Sequence, residues 1–340
     1  MNYLHHCLAR HLILLRTNPA NIVQIDMLDK FKGCILGLAM GDALGMPVEG
    51  FTAQEIEKKV GTVRDMMPAP ECHYHYGLQA GQFTDDTQST LLLAEAMIEA
   101  FGFSGDKFAE KLKDWGASWT LDSNLNRGVG ITTKSSIDNM IAGMCWRDSG
   151  LSIPTCGSAM RVAPIGLVYH CDLNIVANYA DLQSTLTHCN PAARAGAIAV
   201  AVGVALSLKN FPRNLVLQMA YNFASKVDLD FANSLLYIRS LTGLKPAKAI
   251  EIIGNSPIVS ETVPAAFYCF VNFEPEEALM IAASGGGDTD SIASIAGALL
   301  GAERGTSWMP HRWLVSLEDR KRLENVAEKL AELSYHLCKN

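Results

Sequence analysis

Two segments of this chain are apolar on every side of a helix, and each opens on a pair of carboxylates. One is 87–98, which begins in "AGQFTDDTQSTLLLAEAM" (80–97); the other is 291–302, within "SGGGDTDSIASIAGALLGA" (284–302). A helix without a polar face belongs in the interior of a large bundle. The chain must therefore build a helical interior deep enough to enclose both segments, with acids at the mouth of each. Alanine and glycine dominate 292–302, so the backbones of its neighbours must come close.

The rest of the sequence supports such an interior. Apolar residues recur at helical spacing over 28–44, where Gly33, Gly37 and Gly41 stand at every fourth place. With Lys30, Lys32 and Asp42 in the same stretch, that spacing points to close helix–helix packing in a soluble core. Further helices are predicted at 53–60, 87–101, 105–119, 131–145, 172–186, 191–208, 213–225, 230–242, 246–253, 261–272, 275–283, 291–302 and 317–337. Period-two alternation is almost absent, with "GLVYH" (166–170) as the best strand candidate. The expected fold is all-α: a single large, roughly orthogonal helical bundle.

No Pro-, Ser- or Gly-rich linker divides the 340 residues, and 49% of them are hydrophobic. One catalytic domain over 27–340 is expected. Residues 1–26 carry no acid before Asp26 and read as an N-terminal extension outside the domain, disordered or non-essential. The net charge of −7 and the lack of any Lys/Arg cluster argue against binding a nucleic-acid backbone. The longest apolar run, 195–208, is too short to span a bilayer and follows Arg194; no membrane partner is expected. Nine scattered cysteines without a C-x-x-C motif fit reduced thiols and a cytoplasmic location better than a disulfide framework.

The acid clusters exceed the needs of helix capping. One Asp at a helix N-terminus gains about 0.3–1 kcal/mol from the helix dipole and needs no function. "TDDT" and "DTDS" each offer two carboxylates with flanking hydroxyls within four residues. If both helices are buried, those carboxylates must protonate, pair or hold cations. Oxygen donors from Asp, Thr and Ser select Mg²⁺, Mn²⁺ or Ca²⁺ over Zn²⁺. An EF-hand fails, because counting from Asp288 puts Ala293 at the glycine position and Leu299 at the bidentate glutamate position. A Walker loop fails for want of a Lys-Ser/Thr after the glycines. The two clusters can instead meet across one cleft as a binuclear site. In "GLAMGDALGMPVEG" (37–50), Asp42 taken singly reads as a helix-end acid and Glu49 as a loop acid. "ECHYHYG" (71–77) lacks the i,i+4 spacing of a helical histidine pair and reads as a loop rather than a metal cluster.

Together, "GLAMGDALGMPVE", "GQFTDDTQ" and "GGDTDSIASIAGALLGA", in this order, resemble the ADP-ribosylglycohydrolase family, from about Met27 to the C-terminal region. The resemblance implies an all-α fold holding two Mg²⁺ or Mn²⁺ ions. It places Thr84, Asp85 and Asp86 on one side of the metals and Asp288, Asp290 and Ser291 on the other, with Asp290 as the bridge; Ser291 stands where the family often has Thr. Glu49 matches the glutamate near the scissile ribose, and Glu49, Asp85 and Asp290 are the expected catalytic residues.

Two further stretches resemble the substrate-binding segments of that family. "TCGSAMRVAPIGLVY" (155–169) implies backbone and side-chain contacts to pyrophosphate and ribose through Gly157, Ser158 and Arg161. "STLTHCNPAARAGA" (184–197) implies that His188 faces the nucleotide, and "NRGVGITT" (126–133) that Gly128 and Gly130 line the distal ribose. The implied activity is metal-dependent hydrolysis of the glycosidic bond between ADP-ribose and an acceptor. That acceptor is a protein side chain such as arginine or serine, or a small ADP-ribosylated molecule. The alternatives are a binuclear-metal hydrolase acting on another nucleotide or phosphoester, and a non-catalytic ADP-ribose binder.

Overall fold

The computed structural model describes residues 19–71 and 73–339. In chain order the helices are α1 (Pro19–Gly45), α2 (Ala53–Lys59), α3 (Asp85–Glu99), α4 (Gly105–Leu121), α5 (Ile131–Ile141), α6 (Ala163–Val168), α7 (Leu173–Thr185) and α8 (Pro191–Leu208). They continue as α9 (Arg213–Ala224), α10 (Leu229–Tyr237), α11 (Pro246–Ile253), α12 (Val259–Asn272), α13 (Pro275–Ser284), α14 (Thr289–Arg304), α15 (His311–Ser316) and α16 (Arg320–Leu337). Among the described residues there is no strand; two isolated bridges, Leu151 with His188 and Thr155 with Ile258, pin loops together. The fold is all-α, as the periodicity predicts.

The centre is an antiparallel pair, α1 against α14, packed backbone to backbone. A Cβ built on Gly37 would stand 2.4 Å from the Gly297 carbonyl oxygen, and one on Gly297 would stand 2.0 Å from that of Gly37. The same contact repeats between Gly33 and Gly301 and between Gly41 and Ala293, and at the end of the seam a Cβ on Gly45 would strike the Asp290 backbone. The glycines at four-residue spacing thus serve two partner helices, and the seam runs straight to the acid cluster at the mouth of α14. Helix α8 lies alongside, buried along nearly its whole length. By length and composition Asp26–Val48 and Pro191–Leu208 could each cross a membrane, but 94% and 83% of their apolar windows are buried inside the protein. They are core helices.

Three expectations need correction. The strand candidate 166–170 falls in α6 and the turn after it: Ala163–Val168 is wholly buried, and packing overrides the local β preference of Val and Tyr. Helix α15 has no counterpart in the predicted set, being only six residues long. Helix α1 starts at Pro19; residues 1–18 lie outside the described residues. Cys171 and Cys338 form a disulfide across 167 residues of sequence, a pairing no local motif announces. Cys34, Cys145, Cys156, Cys189 and Cys269 are free.

Candidate active site

Asp42, at the end of the glycine seam, is wholly buried and builds the site from behind. Its Oδ1 accepts from the Thr84 backbone N–H (2.8 Å) and hydroxyl (2.9 Å). Its Oδ2 accepts from the Thr87 N–H (3.0 Å) and hydroxyl (2.6 Å). One carboxylate of α1 therefore satisfies backbone donors that α3 leaves open at its first turn, and it locks the mouth of α3 onto α1. Burial raises the Asp42 carboxyl, while the bonds from Thr87 and Thr84 oppose the rise. The Asp85 N–H donates to the Arg127 carbonyl (3.0 Å), which ties the same mouth to the loop before α5.

The mouth of α14 is held from the other side. Asp288 accepts from the Thr262 hydroxyl (2.7 Å) and the Cys156 thiol (3.2 Å), and its N–H donates to the Asn255 carbonyl (2.7 Å). Because α1 and α14 are antiparallel and in contact, the two mouths face each other. The Thr84 hydroxyl lies 3.3 Å from Asp290 Oδ2, and the Ser291 hydroxyl 3.4 Å from Asp86 Oδ2. The structure brings Thr84, Asp85, Asp86, Asp288, Asp290 and Ser291 into one place, each of them less than a tenth exposed.

Such a cluster is costly without a cation. Burial, then the neighbouring negative charges, push Asp85, Asp86 and Asp290 well above the usual carboxylate range. Burial and the charge of Glu49 raise Asp288 to about 6. The cavity in front of the cluster, of about 290 Å³, is lined by no lysine or arginine. Asp86 Oδ1 is buried with no hydrogen-bond partner. An all-oxygen donor set, an orphaned carboxylate oxygen and the lack of a lining cation fit hard divalent metal ions.

Glu49 stands at the same cavity, just beyond the short helical turn Met46–Val48. His75 Nε2 lies 2.7 Å from Glu49 Oε2, and His73 Nε2 lies 2.6 Å from the Glu49 carbonyl oxygen. Burial pushes the Glu49 carboxyl up, but hydrogen bonds from His75 and from Asp290 outweigh it and hold it below the usual range. One ligand atom from each of Glu49, His75 and Asp290 falls within 4.8 Å of the others. The Gly50–Phe51 backbone pairs with Gly287 through two hydrogen bonds, of 2.7 and 2.8 Å, so the glutamate loop is tied to the aspartate loop.

Of the residues expected to hold substrate, Gly128, Gly130, Gly157 and His188 line the cavity. Gly128 has φ of +89°, and a side chain there would meet the His75 ring at 2.7 Å and Asp85 at 3.4 Å; both the conformation and the space demand glycine. His188 is buried, with Nδ1 2.7 Å from the Thr187 hydroxyl and Nε2 3.0 Å from that of Thr155. Burial and the Arg161 charge keep it well below its ordinary value, hence neutral. Ser158 and Arg161 are not in the lining. Ser158 accepts from the Ser184 hydroxyl (2.7 Å). The Arg161 guanidinium is wholly buried against Gln183 and Thr187, so it shapes the wall from behind.

Sequence reasoning missed Asp42, His75, Cys156 and Thr262. Asp42 and His75 act on residues 42 and 26 positions away, and no local pattern exposes such partners. The "ECHYHYG" segment is a loop, as read, but it is the loop that orients Glu49; Cys72 within it lies outside the described residues.

Comparison with known proteins points the same way. A family model described as ADP-ribosylglycohydrolase matches residues 24–340. An uncharacterized protein of Archaeoglobus fulgidus is 42% identical over 92% of this chain and 99% of its own length. The ADP-ribosylarginine hydrolase Tri1 of Serratia proteamaculans is 30% identical over 93% and 82%. The human ADP-ribosylhydrolase ARH3 is 26% identical over 89% and 93%. A solved structure titled ADP-ribosylglycohydrolase-related protein complex superposes with a TM-score of 0.74 at 25% identity, covering 91% of this chain and 99% of that one. With its fold, its facing acid clusters and a family match over nearly the whole described chain, this protein belongs to the ADP-ribosylglycohydrolase family.

Proposed function

We propose that this chain hydrolyses the glycosidic bond between ADP-ribose and an acceptor, with Thr84, Asp85, Asp86, Asp288, Asp290 and Ser291 holding two Mg²⁺ or Mn²⁺ ions. The observation that carries the reading is the meeting of two buried acid clusters on one cavity, where a carboxylate oxygen is orphaned and no lining cation offsets the charge. The bound ions would supply Lewis-acid charge for substrate oxygens. Glu49, held by His75 and kept ionised, is placed to orient a ribose hydroxyl or accept a proton at the cavity mouth. His188, neutral and fixed by Thr187 and Thr155, offers a flat wall to the nucleotide. Gly128, Gly130 and Gly157 let the backbone approach phosphate and ribose without side chains between.

The substrate is an ADP-ribosylated protein or a small ADP-ribose conjugate, met in the cytoplasm. The names of the two hydrolase relatives support this substrate class. The test is release of ADP-ribose from arginine- and serine-linked substrates, with free ADP-ribose titrated separately by calorimetry. Release from at least one linkage is expected. A protein that binds ADP-ribose but frees none from any acceptor is a binding module, and one that ignores ADP-ribose yet cleaves another phosphoester refutes the substrate assignment.

A further inference from the structure

We propose that His170, Cys171 and Cys338 form a second metal site, for a soft divalent cation such as Zn²⁺, which opens only when the two cysteines are reduced. One ligand atom from each residue lies within 4.8 Å of the other two. None of the three lines the acidic cavity, and the donor set is its chemical opposite: thiolates and an imidazole in place of carboxylates and hydroxyls. Such ligands select Zn²⁺ and its relatives over Mg²⁺ or Mn²⁺.

The histidine distinguishes this cluster from a plain disulfide. His170 Nδ1 lies 2.9 Å from the Leu167 carbonyl oxygen. A carbonyl only accepts, so Nδ1 carries the proton and Nε2 keeps its lone pair, 3.5 Å from Cys171 Sγ. Metal-binding histidines are commonly fixed in this way, one nitrogen donating to a carbonyl and the other aimed at the ion. The Ser334 hydroxyl, bonded to the Val168 carbonyl (2.9 Å), lies 3.3 Å from the same Nδ1 and holds the ring from the α16 side. The ring is buried. A disulfide needs none of this.

The surroundings favour a cation as well. Cys338 caps the C-terminus of α16, its N–H bonded to the Ser334 carbonyl (2.9 Å). The C-terminal end of an 18-residue helix carries partial negative charge. Cys171 is exposed, which leaves a side open for entry and for a water as fourth ligand.

The chemistry balances as an exchange. A dithiol reductant delivers two electrons and two protons to the Cys171–Cys338 bond, yielding two thiols and its own cyclic disulfide. Zn²⁺ then displaces the two thiol protons, forming two Zn–S bonds, and Nε2 donates its lone pair. A disulfide oxidant reverses the sequence and expels the ion. In both states residue 171 stays linked to residue 338, by a covalent bond or through the metal.

The experiment titrates the reduced full chain with Co²⁺ under anaerobic conditions and saturating Mg²⁺, which occupies the oxygen-ligand site. The expected result is one Co²⁺ per chain, with thiolate charge-transfer and intense tetrahedral bands that Zn²⁺ bleaches. The oxidised chain should show none. Cys338→Ser and Cys171→Ser should each abolish the bands while the far-ultraviolet helical signal persists. His170→Ala should weaken Co²⁺ binding at least about tenfold, and Cys145→Ser, at an exposed thiol elsewhere, should change nothing. Absence of the bands in the reduced wild type overturns the proposal, as does their survival in either Cys→Ser variant or an unchanged Co²⁺ affinity in His170→Ala.

Discussion

Glu49 and Asp42 show how differently two acids of one motif can serve. Glu49 faces the cavity, and His75 keeps it ionised. Glu49→Gln preserves shape but removes the carboxylate, so kcat should fall about 10²–10⁴-fold if it moves a proton. ADP-ribose affinity should stay within about tenfold, or ~1.4 kcal/mol, by calorimetry; an unchanged kcat would remove Glu49 from the chemistry. Asp42 does not line the cavity. It accepts four bonds from Thr84 and Thr87, and an asparagine there must turn an amide against two of those donors. Asp42→Asn should cost about 1–3 kcal/mol in urea denaturation; an unchanged midpoint would mean that α3 is held by other means. The metal-type acids were legible because hydroxyls and carboxylates repeat at two helix mouths. Asp42 and His75 were not, since each takes its meaning from a distant partner, and sequence does not show which way a buried arginine such as Arg161 turns.

At the scale of elements, the α1–α14 seam carries the site. The four-residue glycine spacing announced close packing in the sequence, and the small residues of 292–302 announced it again, but only the fold pairs the two. Gly37→Val forces side-chain atoms into the Gly297 backbone, which cannot yield as a flexible side chain would. A loss of about 1–3 kcal/mol or more is expected, with activity falling further as Asp42 and Asp290 are driven apart. Wild-type stability and turnover in that variant would show that the seam tolerates separation. A chain starting at Met27 loses the first turns of α1 but keeps the seam, whose first contact is at Gly33. Turnover within about twofold of the full chain is expected, and a large loss would assign those turns a structural role. The misread 166–170 segment teaches the converse lesson. A short apolar run is ambiguous alone, and burial of every residue in α6 decided it.

The whole molecule encloses a negative centre inside a net-acidic chain of charge −7, and its stability should report that. Asp288 rises from its ordinary 3.8 to about 6 in the fold, and Asp85, Asp86 and Asp290 shift the same way. A raised carboxyl means that the folded state binds more protons than the unfolded one between the two values. Stability of the metal-free protein should therefore fall as pH rises from about 4 through 6, on the order of 1–3 kcal/mol, the reverse of ordinary acid denaturation. Added Mg²⁺ should flatten that slope in thermal unfolding, and a metal-free protein that gains stability over this window would refute the buried-charge account. The central claim, that the two acid clusters form one metal-dependent catalytic site, is tested most directly by single-turnover release of ADP-ribose from an arginine-linked substrate, with a serine-linked one in parallel. Release should stop on chelation while the helical signal persists, return on adding Mg²⁺ or Mn²⁺, and stay absent in Asp290→Ala at saturating metal. Undiminished release in excess chelator, or in Asp290→Ala, would contradict it.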